Sequence, residues 1–264
     1  MSQSKLFLHD HPASSYAQKV RMALREKGIP FDMAIPENIG SGNQISRLAA
    51  ANPRMEVPAL EDGDFKIFDS KIILQYLEDK YPEHPLMPED PKARAEARMI
   101  EEVCDTAYEA INWGMFSEVT WCERATGELA EKLLKQGNEQ TKVICDWLSE
   151  RLGNKKFFSG ESFSFADICV APCLYSNGPA EGSPLKQWRD RVMEIPSVKE
   201  TTKEMEAATK KMAETMRGGF KAGSGRRREY RDHRLEWMIK SGGIAVVQKG
   251  LEEDKIRFSW PGGI

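Results

Sequence analysis

Three short stretches of this 264-residue chain combine residue types that suit chemistry on a small anion. Ser14-Ser15-Tyr16 places three hydroxyls in a loop just ahead of an apolar-periodic run. Val57-Pro58-Ala59-Leu60 sets a proline beside strand-forming residues. Proline cannot donate a ladder hydrogen bond and is confined to edges, turns and bulges. A cis Val57–Pro58 bond would turn the N–H and C=O of Val57 outward, where a ligand's backbone could pair with them. Asp69-Ser70 opens a helical run as an N-terminal cap. A helix N-terminus favours anions through its unpaired N–H groups and its dipole. Side by side, a peptide edge and a helix N-terminus make a site for something both peptide-like and anionic.

The elements that must position these groups follow from periodicity and breakers. Residues 5–8 read as a strand. A helix starts at Ser14 or Ser15, carries Val20 and Leu24 inward, and stops at Gly28. Residues 31–35 read as a second strand, parallel to the first across the helix. Gly40 and Gly42 mark a loop, and residues 44–51 a short helix ended by Asn52-Pro53. Residues 57–60 and 66–68 are an antiparallel pair around the turn Glu61-Asp62-Gly63-Asp64. Residues 70–81 form a helix with Ile72, Ile73, Tyr76 and Leu77 on one face. The order βαβαββα is an α/β domain over residues 1–81. Four prolines in residues 82–91 make a linker. Residues 92–217 are all-helical, with long helices over 92–116 and 127–152. An apolar helix over 165–175 is opened by a Ser164-x-x-Asp167 capping box, and shorter helices cover 185–194 and 197–216. Residues 218–264 form an extension of different character. Within 217–234 there are seven Arg or Lys against two acids, which reads as a solvated segment or a clamp on an acidic patch. A helical piece near 235–240 and a tail with Phe258, Trp260 and Pro261 complete it, the aromatics expected to pack back on the body.

Composition excludes several classes. Net charge is −3, so nothing pulls the chain as a whole toward nucleic acid or membrane. No apolar run approaches the ~20 residues of a membrane span, and residues 1–8 lack a secretory leader's apolar stretch. The five cysteines are odd in number, widely spaced and without CxxC. They read as buried thiols of a reduced, cytoplasmic protein, with no disulfide framework and no metal site.

The motifs Asn52-Pro53, Val57-Pro58-Ala59-Leu60 and Asp69-Ser70, the proline-rich linker and the segment Ser162–Ile168 together resemble the cytosolic glutathione transferase family over roughly residues 1–215. That resemblance implies a thioredoxin-like N-terminal domain binding glutathione and a helical domain lining the second substrate's pocket. It implies that Val57, ahead of the cis-Pro58, pairs with the cysteinyl backbone of glutathione. It also implies that Asp69 and Ser70 hold the γ-glutamyl group. Glu56 stands where the family often has Gln, which changes a polar contact while leaving the backbone able to serve.

A glutathione thiol, like cysteine, has a pKa of about 8.5, so conjugation requires something to favour the thiolate. A hydroxyl donor near the positive end of a helix does that. By resemblance to serine-type transferases Ser14 is the first choice and Ser15 the second; one of them also caps the helix. Tyr16 reads as packed or pocket-lining. A cysteine-type thiol transferase would carry Cys at position 14, and zeta-type isomerases and hydroquinone dehalogenases would carry it at 16; this chain carries neither. The Ser-x-Tyr loop, Asn52-Pro53-Arg54 and Ala166-Asp167-Ile168-Cys169 resemble bacterial glutathione-dependent β-aryl etherases. Tyr108, Ile111, Trp113, Met115 and Phe116 are candidate walls for a hydrophobic, aromatic electrophile, although at helical spacing such residues also build cores. His11 is a further candidate glutathione contact. The family resemblance implies a homodimer. Because one fold serves many functions, a non-catalytic binding or dimerisation module is the alternative reading.

Overall fold

The β-forming runs of the first eighty residues build one four-stranded mixed sheet in the order β2-β1-β3-β4. The strands are β1 (Leu6–His9), β2 (Phe31–Ala34), β3 (Ala59–Asp62) and β4 (Phe65–Phe68). β1 runs parallel to β2 and antiparallel to β3, and β3 pairs antiparallel with β4. The computed structural model describes residues 5–36, 46–121, 123, 125–175, 178–216, 235 and 241–253. Residues 1–219 form one compact unit and residues 220–264 a second.

Strand alternation sends neighbouring side chains to opposite faces of the sheet. Leu6, Leu8, Leu60 and Ile67 enter the main core beneath helices α1 (Ser15–Glu26) and α3 (Ser70–Lys80). Ala59 and Phe68 face the other way and pack with Leu48, Ala51 and Met55 around the short helix α2 (Arg47–Ala51). The third strand starts two residues later than its sequence suggests, so Val57 and Pro58 lie in the bend just ahead of it.

Beyond the linker, helix α4 (Pro91–Val103) runs on through a π-helical turn at Cys104–Tyr108 into α5 (Glu109–Trp113) and a second π-helical stretch at Gly114–Trp121. Then come α6 (Gly127–Leu152), α7 (Phe165–Val170), α8 (Pro184–Val192) and α9 (Pro196–Met216). Helix α7 is shorter than its apolar run implies: residues 171–175 continue as turns. Its capping box is present. Asp167 accepts from the Ser164 N–H at 3.0 Å and the Ser164 hydroxyl at 2.7 Å. The same buried carboxylate accepts from the Phe158 N–H and the Trp188 indole N–H, tying α7 to α8. In the second unit α10 (Ile244–Glu252) leaves Ile244, Val246 and Leu251 exposed. Most of residues 217–240, and the aromatic tail expected to pack on the body, lie outside the described residues.

Candidate active site

Register alone brings the three chemical stretches together. His9, Ala59 and Phe68 sit side by side across β1, β3 and β4. The loop to Ser14 therefore leaves the sheet at the edge where Val57-Pro58 enters it and where Asp69-Ser70 begins α3.

The Val57–Pro58 peptide bond is cis. No other described residue hydrogen-bonds the Val57 N–H or C=O. Asn52 shapes the approach to it: its amide donates to the Glu56 carbonyl at 2.9 Å, and its carbonyl accepts from the Arg54 N–H at 2.9 Å. In the sequence Asn52 ends the short helix and is part of the family motif; its bracing of the Glu56 carbonyl depends on the fold. Asp69 caps α3 by accepting from the Lys71 N–H at 3.0 Å. Its φ of +77° lies in the left-handed half of φ space, which L-residues adopt at a cost of order 1–3 kcal/mol. Ser70 is buried, and its hydroxyl meets no partner among the described residues. Beside Asp69 opens a groove of about 530 Å³ lined by Arg54, Lys66, Phe68, Lys71 and Ile72 among others.

Ser14 is the N-cap of α1, its Oγ accepting from the Ala17 N–H at 3.3 Å. A hydroxyl that accepts with a lone pair keeps its proton to donate, so capping and thiol activation are compatible in one residue. The Ser14 N–H donates to the His11 carbonyl at 2.8 Å across a turn that has Pro12 in its second position. Ser15 is different: its Oγ is buried without a hydrogen-bond partner among the described residues. His11 folds onto the same turn, its Nδ1 accepting from the Ala13 N–H at 3.2 Å, and burial holds its pKa below the ordinary histidine value.

Buried charges lock the site's walls. On the α2 face, His9 Nε2 meets Glu61 at 2.6 Å, and Arg47 grips both Glu61 oxygens at 2.9 Å while stacking over Phe7. On the other face, the Lys19 ammonium reaches Glu101 at 3.0 Å and Asp105 at 2.6 Å, holding α1 to α4 and the π-turn. Burial opposes the Lys19 charge, yet its neighbours carry its pKa above the ordinary lysine value. Burial also pushes Glu101 and Asp105 upward against the pull of that ammonium.

The candidate pocket residues separate. Tyr108 is fully buried, its hydroxyl 3.6 Å from Cys145 Sγ, which makes it a core residue. Met115 is also buried and packs against Gly137 of α6. Tyr16 donates to the Asp105 carbonyl at 2.8 Å, joining the Ser14 loop to the π-turn. Ile111 is half-buried against the core, and Trp113 is 39 % exposed. The Phe116 side chain lies outside the described residues. Among the described residues no group of His, Cys, Asp or Glu is arranged to hold a metal, and no helix is long and apolar enough to cross a membrane.

The N-terminal domain model of glutathione S-transferases matches residues 8–85, and the C-terminal domain model of the same family matches residues 106–196. The chain belongs to the glutathione S-transferase family. Glutathione S-transferase Z2 of Arabidopsis thaliana is 48 % identical over 179 residues, 66 % of this chain and 77 % of that one. A stringent starvation protein A homolog of Coxiella burnetii is 27 % identical over 175 residues, 66 % of this chain and 77 % of its own. Among solved structures, the Tau class glutathione S-transferase of mango superposes with a TM-score of 0.67 at 25 % identity, covering 81 % of this chain and all of its own. The family's co-substrate is glutathione.

Proposed function

We propose that this glutathione S-transferase binds glutathione along Val57 and at the α3 N-terminus, and activates its thiol with the Ser14 hydroxyl. The observation carrying the reading is the Ser14 Oγ at the N-terminus of α1, with a proton to donate, at the same sheet edge as the unpaired Val57 peptide. The Val57 N–H and C=O pair with the cysteinyl backbone, Pro58 holds that peptide, and Glu56 flanks it. Ser70 takes the γ-glutamyl carboxylate on its hydroxyl and N–H, and Asp69 takes the α-ammonium. The thiol proton leaves to solvent, and the sulfur is held as thiolate by Ser14, with Ser15 one residue behind it. The thiolate attacks an electrophilic carbon of a hydrophobic, aromatic substrate. A C–S bond forms, and the leaving group departs with its electron pair. Tyr16, Ile111 and Trp113 are the remaining candidates for the substrate side.

A hydrogen bond to a charged acceptor is worth about 1.5–3 kcal/mol. Ser14→Ala is therefore expected to raise the bound thiol's pKa by about 1–2 units. The test is turnover of a chlorodinitrobenzene-type electrophile and of a β-aryl ether by the wild type, Ser14→Ala and the Ser14→Ala/Ser15→Ala pair. Aryl ether cleavage with glutathione would extend the reading to β-etherase chemistry, which the Ser-x-Tyr loop resembles. Full turnover in the double variant would refute serine activation. A second reading, a non-catalytic binding module, rests on one fold serving many functions; it requires no turnover of either substrate. A homodimer is the family's usual state, and exposed Ile72 on α3 and Met99 on α4, which the Lys71–Glu102 ion pair and the Arg98–Gln75 hydrogen bond link, are the apolar groups offered to it. We place the protein in the cytoplasm on its buried free thiols Cys104, Cys145, Cys169 and Cys173.

A further inference from the structure

Arg21 is fully buried on α1, an uncommon setting for a guanidinium. Its three nitrogens have separate duties. Nη2 donates to the Pro12 carbonyl at 3.0 Å, the middle of the turn that presents Ser14. Nη1 donates to the Glu204 carboxylate on α9. Nε lies 3.5 Å from Asp10 Oδ1, and both buried atoms have no hydrogen-bond partner among the described residues. Glu204 is held in turn by Arg25, which also reaches Glu200 at 2.9 Å. The turn at residues 11–14 thus has two internal bonds, from the Ser14 N–H to the His11 carbonyl and from the Ala13 N–H to His11 Nδ1. Its Pro12 carbonyl is held from outside the turn by Arg21.

We propose that Glu204 and Arg21 form a positioning pair: α9, through the Arg21–Pro12 hydrogen bond, sets where the Ser14 hydroxyl stands relative to the bound sulfur. This rests on Ser14 as the thiol donor. A guanidinium anchored at one end by a carboxylate has its remaining N–H groups aimed in a fixed plane. Without Glu204, Arg21 turns toward Asp10, its other buried acidic neighbour, and the Pro12 carbonyl loses its aligned donor. Small displacements of a reacting group cost rate steeply, because the donor must sit at hydrogen-bond distance from the charge it stabilises.

The test is the pH titration of the thiolate's ultraviolet absorbance in the protein–glutathione complex, with steady-state kinetics alongside. Glu204→Ala is expected to raise the bound thiol's pKa by about half a unit to one unit, which lowers the rate about three- to tenfold at pH well below that pKa. KM for the electrophile stays unchanged, and rates converge with wild type above the thiol pKa. Glu204→Gln, which keeps an acceptor oxygen at the same reach, recovers most of the shift. Glu200→Ala loosens the same pair of helices through Arg25 alone and leaves the thiol pKa in place. A Glu204→Ala protein with lower melting temperature but an unmoved thiol pKa overturns the inference, as does an equal shift in Glu200→Ala. Ser14→Ala in the same titration separates the two claims. If it moves the thiol pKa and Glu204→Ala does not, only the positioning pair fails; if it does not, serine activation fails and the inference with it.

Discussion

Asp167→Asn is the perturbation whose cost the structure specifies most fully. The carboxylate is inaccessible to solvent and accepts four hydrogen bonds. One oxygen takes the Phe158 N–H at 3.0 Å and the Trp188 indole N–H at 2.7 Å. The other takes the Ser164 N–H at 3.0 Å and its hydroxyl at 2.7 Å. An asparagine supplies one acceptor oxygen, so two of these donors face an NH₂ instead. Each buried donor left unmet costs about 1–3 kcal/mol. Against this, burial pushes the Asp167 pKa up although its hydrogen bonds pull it down, so removing the charge returns part of a desolvation cost. The expected net loss is about 2–4 kcal/mol, a large share of a typical stability of about 5–15 kcal/mol. In a chain of this size that lowers the melting temperature by roughly 5–15 °C. Urea denaturation at neutral pH measures it directly. Ser164→Ala, which removes the cap hydroxyl, is expected to cost about 1 kcal/mol. The double variant should fall short of the sum, because both changes act on one carboxylate. An Asp167→Asn protein within about 0.5 kcal/mol of wild type, or strict additivity in the double variant, would refute this reasoning.

Asp10 is a pH-linked term: burial raises its carboxyl from 3.8 to about 6 despite Arg21. Between those values the folded state binds more protons than the unfolded one, so this residue's contribution to stability is present at low pH and declines as pH rises through 6. Asp10→Asn should remove that slope, worth up to about 3 kcal/mol by linkage, in denaturation curves taken from pH 4 to 7. Lys19→Met leaves Glu101 and Asp105 buried without their ammonium, and chemical denaturation should show a loss of about 3–5 kcal/mol. Tyr108→Phe should leave kcat/KM within about twofold of wild type while Tyr108→Ala costs about 3–5 kcal/mol of stability, because the ring is core; a large kinetic effect of Tyr108→Phe would return it to the pocket wall.

Much of the fold is local and therefore legible. The proline at 58, the Asp69 helix start and the Ser164–Asp167 box each act over a few residues and are found where the sequence places them, and the cap expected at Ser14 or Ser15 falls on Ser14. What is non-local is not. Lys19 and Arg21 read as ordinary charges on a helix, because their partners lie far along the chain at Glu101, Asp105 and Glu204. The burial of Tyr108 and Met115 is illegible for a different reason. Core and pocket walls share the 3.6-residue period, and the π-turn at Cys104–Tyr108 shifts the phase of everything after it. One inserted residue turns later positions by about 100°.

The central claim is that Ser14 is the hydroxyl that meets the sulfur of glutathione held along Val57 and at Ser70. A crystal structure of the complex with glutathione tests it most directly. The account predicts sulfur within hydrogen-bond distance of Ser14 Oγ, the cysteinyl backbone paired with Val57, and the γ-glutamyl carboxylate on Ser70. A tripeptide bound elsewhere, or a sulfur that meets Ser15 or Tyr16 while Ser14 Oγ serves only the Ala17 N–H, would contradict it.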